Sequence, residues 1–251
     1  MKTICIDAGN TLTKIAFVES SVIQSVSSFE SADICGIINY LTLLPEADAS
    51  ILSSVNVVSQ EITDVLSRKT AYFIELTATT PVPINNLYKT PETLGKDRLA
   101  AIVGAFSLFP GKDILVLDAG TALTIDFIDS EGNYRGGNIS PGLNMRFQAL
   151  HDFTKKLPFL TKADEFQLVG DSTTSAIISG VQNGIIFEIN SYIKSFVNQF
   201  PQLVTILTGG DVNFFVNKIE KHIFAESNLV IIGLEKIIEF NLKLRNIKST
   251  W

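Results

Sequence analysis

Two stretches of this chain nearly repeat each other, and the repeat limits the folds open to it. Ile6-Asp7-Ala8-Gly9-Asn10-Thr11-Leu12-Thr13 is matched by Leu117-Asp118-Ala119-Gly120-Thr121-Ala122-Leu123-Thr124. Each follows an apolar, partly β-branched run, Thr3-Ile4-Cys5-Ile6 in one case and Ile114-Leu115-Val116-Leu117 in the other. Short apolar runs bounded by turn residues read as buried strands. A buried strand that ends in Asp, turns at Gly and offers hydroxyls is a device for holding phosphate and its cation. The glycine lets backbone N–H groups approach phosphate oxygens, and Asn10, Thr11, Thr121 and Thr124 add donors. A carboxylate repels phosphate, so Asp7 and Asp118 make sense as ligands of a bridging cation. Lys14 can return across the hairpin toward a terminal phosphate. The turns are 111 residues apart, from Asp7 to Asp118. That spacing predicts a duplicated fold with a nucleotide held between its halves.

One such turn alone would be ordinary β-turn chemistry, in which Asp and Gly are common. Repetition after matched strands argues for function. The order Asp-Ala-Gly is not the Asp-Thr/Ser-Gly of an aspartic-protease dyad, and no Gly-x-x-x-x-Gly-Lys loop is present. The copies also differ. The first continues Asn10-Thr11 and carries Lys14, whereas the second continues Thr121-Ala122 and carries Ile125 at the same count. This predicts one turn for the transferring phosphate and one for the rest of the nucleotide.

The 251 residues suit one large domain or two modest ones, and the repeat favours halves at 1–113 and 114–251. A hydrophobic share of 46% is high, yet no apolar run nears the ~18 residues of a membrane span. Central parallel strands buried on both faces, and a subunit interface, account for the surplus. The segment before Asp7 is too short for a signal peptide, and Cys5 and Cys35 form neither a disulfide framework nor a metal set, so a reducing cytoplasm is expected. A net charge of −6 argues against nucleic-acid binding. Asn138-Ile139-Ser140 matches the glycosylation pattern by chance.

Along the chain, strands are expected at 3–7, 13–19, 51–58, 72–76, 114–118, 122–129 and 204–207. Helices are expected after Ser59, from Asp97 to Pro110, near 144–151, from a cap at Asp171 or Ser172 to about 198, and after Gly233. Residues 77–95, with Pro81, Pro83 and Pro91, form a loop long enough to be functional. Gly136-Gly137-Asn138-Ile139-Ser140-Pro141-Gly142-Leu143 reads as a glycine-rich loop. Strands alternating with helices give an α/β protein with mixed sheets.

Beyond the Pro/Thr loop, Thr93-Leu94-Gly95-Lys96-Asp97-Arg98 opens a helix. Asp97 fits a plain N-terminal cap. Its functional reading is a general base toward a substrate hydroxyl, with Arg98 fixing an anionic group. Gly136–Leu143 and Thr208–Asp211 fit either an adenosine site or turn chemistry. His151 and His222 have no partner pattern and are taken as incidental.

Taken together, these segments resemble type III pantothenate kinases, a family within the superfamily of acetate and sugar kinases, heat-shock ATPases and actin. The resemblance spans nearly the whole chain. It rests on Asp7–Thr11, Tyr88 with Gly95–Arg98, Asp118–Ala122, Gly136–Leu143, Gly170–Thr173 and Thr208–Gly210. It implies the duplicated actin-like ATPase (ribonuclease H-like) fold and ATP-dependent phosphorylation of pantothenate to 4'-phosphopantothenate, the first step toward coenzyme A. It also implies that Asp7, Ala8, Gly9, Asn10, Thr11, Leu12, Thr13 and Lys14 form the phosphate loop with Asp7 near Mg²⁺, and that Thr121 contacts ATP. Asp118 would bind a monovalent cation, K⁺ or NH₄⁺. Asp97 would accept the proton, and Tyr88, Gly95, Lys96, Asp97 and Arg98 would hold pantothenate. Thr173 would reach it from the second subunit of a homodimer. The C-terminal tail from Arg245 to Trp251 has no counterpart in these motifs. Two other readings compete: a kinase or phosphatase of the same superfamily acting on another small substrate, and a non-catalytic nucleotide-binding regulator. Asp97 beside Arg98 speaks against the second, since a sensor has no use for a base.

Overall fold

The computed structural model describes residues 1–55, 58–220 and 222–248. Val57, expected in a strand, and the tail residues 249–251 lie outside the described residues. In chain order the elements are β1 (Lys2–Ala8), β2 (Leu12–Glu19), β3 (Val22–Glu30), α1 (Ile34–Leu43), β4 (Ala47–Ser54), α2 (Gln60–Lys69), β5 (Thr70–Glu75), the two-residue β6 (Asn85–Asn86) and α3 (Lys96–Leu108). There follow β7 (Ile114–Ala119), β8 (Ala122–Ile128), β9 (Asn133–Pro141), α4 (Leu143–Asp152), α5 (Thr173–Gln199), β10 (Val204–Thr208), the short α6 (Val212–Phe215), β11 (Phe224–Ala225) and α7 (Leu229–Lys248). They form two compact units: Met1–Leu108 with Asn228–Trp251, and Phe109–Ser227.

The sheet of the first unit runs β3-β2-β1-β4-β5. β1 pairs antiparallel with β2 and parallel with β4, so the sheet is mixed. Its centre is buried on both faces. Ile4 and Ile6 pack with Ile37 and Leu41 of α1 and with Ile62 and Leu66 of α2. The residues between them in β1 point the other way. Cys5 packs with Ala49 and Ile51 of β4, Ala100 and Val103 of α3, and Leu234, Ile237 and Ile238 of α7. Asp7 belongs to this second face.

α3 and α7 cross closely because each has glycine at the contact. A Cβ on Gly104 would stand 2.4 Å from the Leu229 carbonyl oxygen, and one on Gly233 would stand 1.7 Å from that of Ala100. Gly233 thus lies inside the last helix, which starts at Leu229 rather than after it.

In the second unit the strands follow the order β11-β10-β7-β8-β9. β7 pairs antiparallel with β8 and parallel with β10. Leu115, Leu117, Leu123, Ile125 and Phe127 pack against Phe147 of α4, Ile185 and Ile189 of α5, and Phe215. The doubled, mixed-sheet α/β architecture expected from the repeated strands is therefore present.

Other expectations shift. The strand expected at 51–58 is β4, Ala47–Ser54. Its polar start is tolerated because buried Ser50 bonds Thr70, Oγ to Oγ1, at 2.8 Å. Ser59 does cap α2, accepting from the Glu61 N–H at 3.3 Å. β3 and α1 are additional elements, the latter capped by Asp33, whose Oδ1 accepts from the Gly36 N–H at 2.9 Å. The glycine-rich loop at 136–143 is mostly strand β9, with Gly142 preceding α4. Its glycine permits close pairing: a Cβ on Gly137 would meet the Ile125 carbonyl oxygen at 2.2 Å.

Overpacking of this kind costs about 1–3 kcal/mol. Gly233→Ala, which forces α3 and α7 apart, is expected to lower the unfolding free energy by that amount, read from an earlier urea midpoint by circular dichroism. Gly180→Ala, in helix α5 with no atom of the described residues within 4 Å of the new Cβ, reports the gain in helix propensity alone and is expected to be stabilising.

Candidate active site

The first turn is built at the exit of β1. Register places Asp7 opposite Lys14 and Ala8 opposite Thr13. The Gly9 N–H donates to the Leu12 carbonyl at 3.0 Å, and the tip residues Asn10, Thr11 and Leu12 are exposed. Ser31, just past β3, braces the turn from the side. Its hydroxyl donates to the Gly9 carbonyl at 2.9 Å and lies 3.1 Å from Thr13 Oγ1, and its N–H donates to the Thr11 carbonyl at 2.9 Å. A loop held at three points presents its backbone in a fixed shape, as phosphate binding requires.

Asp97 occupies the first turn of α3, and its Oδ1 accepts from the Arg98 N–H at 2.8 Å. Gly95 makes room for it: a Cβ there would come within 2.4 Å of that oxygen. Arg98 is 6% exposed, with its guanidinium 5.5 Å from the centroid of the Tyr88 ring. Tyr88 is anchored through its N–H, which donates to Asn86 Oδ1 at 3.0 Å. Lys96 points instead to Glu75 at the end of β5, 3.3 Å away. The fold thus brings Tyr88, Gly95, Asp97 and Arg98 together.

Asp7 and Asp97, ninety residues apart in sequence, share one electrostatic neighbourhood. Burial, then the charge of Asp97, push the Asp7 carboxyl up from 3.8 to about 7, with Lys14 pulling weakly the other way. A cation beside Asp7 would offset both causes.

The second turn has similar parts but a different register. Gly120 N–H donates to the Ala122 carbonyl at 3.0 Å, making this turn one residue shorter than the first. Asp118 therefore stands opposite Thr124, and in parallel pairing beside Thr208. The position of Lys14 is taken by Thr124, not by Ile125 as the sequence count predicts; Ile125 faces the apolar core. Two glycines press backbone onto the turn. A Cβ on Gly209, whose φ is +97°, would stand 2.4 Å from Asp118 Oδ1. One on Gly142 would stand 2.3 Å from the Gly120 carbonyl oxygen. Thr121 at the tip is exposed.

Thr173 is the exposed first residue of α5, whose start is fixed by a Ser172–Ser175 capping box. It lines an apolar groove of about 1060 Å³ between α4 and α5 with Met145, Phe153 and Gly180. His151 Nδ1 lies 3.0 Å from the Leu157 carbonyl oxygen, a structural contact. Among the described residues no three His, Cys, Asp or Glu side chains cluster as a metal cage, and no helix is long and apolar enough to cross a membrane. Sequence reasoning missed Ser31 and also Ser53, which stands in register with Asp7. Neither sits in a motif, and only strand pairing reveals their place.

A family model described as type III pantothenate kinase matches residues 3–195. The chain belongs to this family. A type III pantothenate kinase from Phocaeicola vulgatus is 44% identical over 239 residues, covering 95% of this chain and 98% of the relative. One from Bacteroides fragilis is 41% identical over 237 residues, covering 94% and 97%. This protein is thus an ATP-dependent pantothenate kinase that phosphorylates pantothenate in coenzyme A biosynthesis. Solved structures share its actin-like ATPase fold at lower identity. The activator of 2-hydroxyisocaproyl-CoA dehydratase from Clostridium difficile, with bound ADPNP, has a TM-score of 0.55 at 12% identity, covering 99% of this chain and 98% of its own. A ROK family glucokinase from Streptomyces griseus, in complex with glucose and AMPPNP, has a TM-score of 0.51 at 11% identity, covering 93% and 98%.

The Asp7 environment has a measurable signature in the ligand-free kinase. Folded Asp7 keeps its proton to about pH 7 and unfolded Asp7 releases it near 3.8. Between these values the folded state binds more protons, so this group makes stability fall as pH rises. Asp7→Asn removes the effect. Without nucleotide, the variant is expected to exceed the parent in stability at about pH 8, by at most about 4 kcal/mol. The gain should vanish near about pH 4, as followed by urea unfolding across pH.

Proposed function

We propose that Asp97 is the proton acceptor of the kinase reaction and that Asp7 to Lys14 hold the transferring phosphate. The observation that carries this reading is the pairing of Asp97 with Asp7 in one electrostatic neighbourhood, beside an Arg98 seated against Tyr88. Backbone amides of the Gly9 turn and the Lys14 ammonium hold phosphate oxygens. Asp7 takes Mg²⁺, an ion that needs only one or two carboxylates beside phosphate and water oxygens, which suits a site without a protein cage. Arg98 fixes the carboxylate of pantothenate, with Tyr88, Gly95 and Lys96 lining the same substrate. Asp97 accepts the hydroxyl proton as the γ-phosphoryl group transfers in line. Most of the acceleration is positioning and charge neutralisation.

Asp118 holds a monovalent cation, K⁺ or NH₄⁺, and Thr121 contacts ATP. The hydroxyl-bearing register partners Thr124 and Thr208 make oxygen-rich surroundings that suit such an ion. When bound, the two cations offset the charge of the triphosphate.

A coupled ADP-release assay with pantothenate, run in K⁺ and again in Na⁺, tests these roles. Asp97→Asn is expected to fold normally, bind ATP and lose at least ~10²-fold in kcat. Near-parental turnover would remove Asp97 from the role. Asp118→Asn is expected to lose the difference between K⁺ and Na⁺ that the parent shows.

The kinase works as a homodimer in this reading, with the second copy seated on α4 and α5. Phe153 is 90% exposed and Phe187 54% exposed, and Gly180 and Gly184 have open space beside them. An apolar face of this kind calls for a partner. A second copy there would bring Thr173 to a neighbouring active site. Gly180→Arg is expected to sediment as a single chain and to lose activity, while the parent sediments as a pair.

A further inference from the structure

Ser53 lies one residue before the end of β4, in parallel register with Asp7, which is itself opposite Lys14 on β2. Lys14, Asp7 and Ser53 therefore form a row across three neighbouring strands on one face of the sheet, with neighbours about 4.8 Å apart. That face is the one covered by α3, since Ala49 and Ile51, four and two residues before Ser53, pack with Ala100 and Val103. Ser53 is completely buried, and its hydroxyl meets no hydrogen-bond partner among the described residues. The nearby Ser50, equally buried, is satisfied by Thr70.

A buried hydroxyl without a partner destabilises the chain that carries it, whereas alanine of similar shape would not. A serine in this place is useful if binding of the nucleotide and its metal gives the hydroxyl a partner. The adjacent acceptor is the carboxylate of Asp7, and a turn of one side-chain torsion between staggered positions redirects the Oγ.

We propose that Ser53 is a positioning residue for Asp7: with metal–nucleotide bound, its hydroxyl donates a hydrogen bond to one Asp7 carboxylate oxygen and leaves the other facing the cation. The inference rests on the reading of Asp7 as the Mg²⁺ ligand. Groups that orient a ligating carboxylate in this way commonly change metal affinity or activity by ~10-fold or more when removed.

The test uses Mn²⁺ with a non-hydrolysable ATP analogue. Free Mn²⁺ is followed by electron paramagnetic resonance, alongside thermal unfolding and steady-state kinetics of the full chain. Ser53→Ala is expected to melt at or above the parent temperature without ligand, bind Mn²⁺ with the analogue ~10-fold more weakly, and lose ~10-fold in kcat. Its KM for pantothenate should stay within about 2-fold, because the substrate groups are untouched. Ser53→Cys, which fills the same space with a poor donor, should behave like Ser53→Ala. Thr3→Val removes another buried hydroxyl without a partner among the described residues, at the far end of β1, and should leave Mn²⁺ binding unchanged. Parental Mn²⁺ binding in Ser53→Ala, or a lower ligand-free melting temperature with parental binding, overturns the proposal and leaves the role of Asp7 standing. Full recovery in Ser53→Cys, or weakened binding in Thr3→Val, overturns it as well. Parental Mn²⁺ binding in Asp7→Asn overturns both the role of Asp7 and the proposal built on it.

Discussion

A carboxylate at the end of a strand that is buried on both faces is an expensive thing to keep charged, and the site depends on this expense. β1 is covered by α1 and α2 on one side and by α3 and α7 on the other. Where it ends, Asp7 meets low dielectric and the charge of Asp97. Water relieves this less than it would on the open surface. A cation would offset it. The surrounding features serve this balance: Gly95 makes room for Asp97, and Ser31 holds the Gly9 turn in shape. In the reading proposed for Asp7, a site that is uncomfortable when empty would bind metal and nucleotide with the strain already in place.

Much of the site is legible in sequence because its signals are local. An apolar run followed by Asp-Ala-Gly specifies a strand and its turn within a dozen residues. Gly95-Lys96-Asp97-Arg98 specifies a helix start with an acid and a base. Register is different in kind. Counting seven residues from each Asp gives Lys14 and Ile125, but the second turn is a residue shorter and Thr124 takes the place. One residue moves a side chain to the other face of a strand. Ser31 and Ser53 were invisible for the same reason: each is an ordinary serine until strand pairing sets it beside the turn. β3 and α1 were hidden by composition. The edge strand Val22–Glu30 alternates weakly, with three serines along it.

The glycines teach a related lesson. Gly137, Gly142 and Gly209 mark close approaches of backbone to backbone or to Asp118. Sequence alone offers the same residues as nucleotide-binding loops, because both uses need a missing Cβ. Substrate is likewise not written in the fold. A dehydratase activator and a glucokinase share this architecture. In the proposed reading the distinction lies in short segments such as Tyr88 to Arg98, which stand between the two Asp-Ala-Gly turns in chain order.

The membership of α7 in the first unit has a consequence for how the chain matures on the ribosome. The core on the Asp7 face of the first sheet needs Ile231, Leu234, Ile237 and Ile238, which are made after the whole second unit. Synthesis is vectorial, and domains generally form in the order they emerge. Here the twenty-residue helix α7 closes a unit begun by β1, so the turn formed earliest acquires its final packing last. Until then that apolar face stays open to water, and the first Asp-Ala-Gly turn stands at the end of a sheet whose second face is still uncovered.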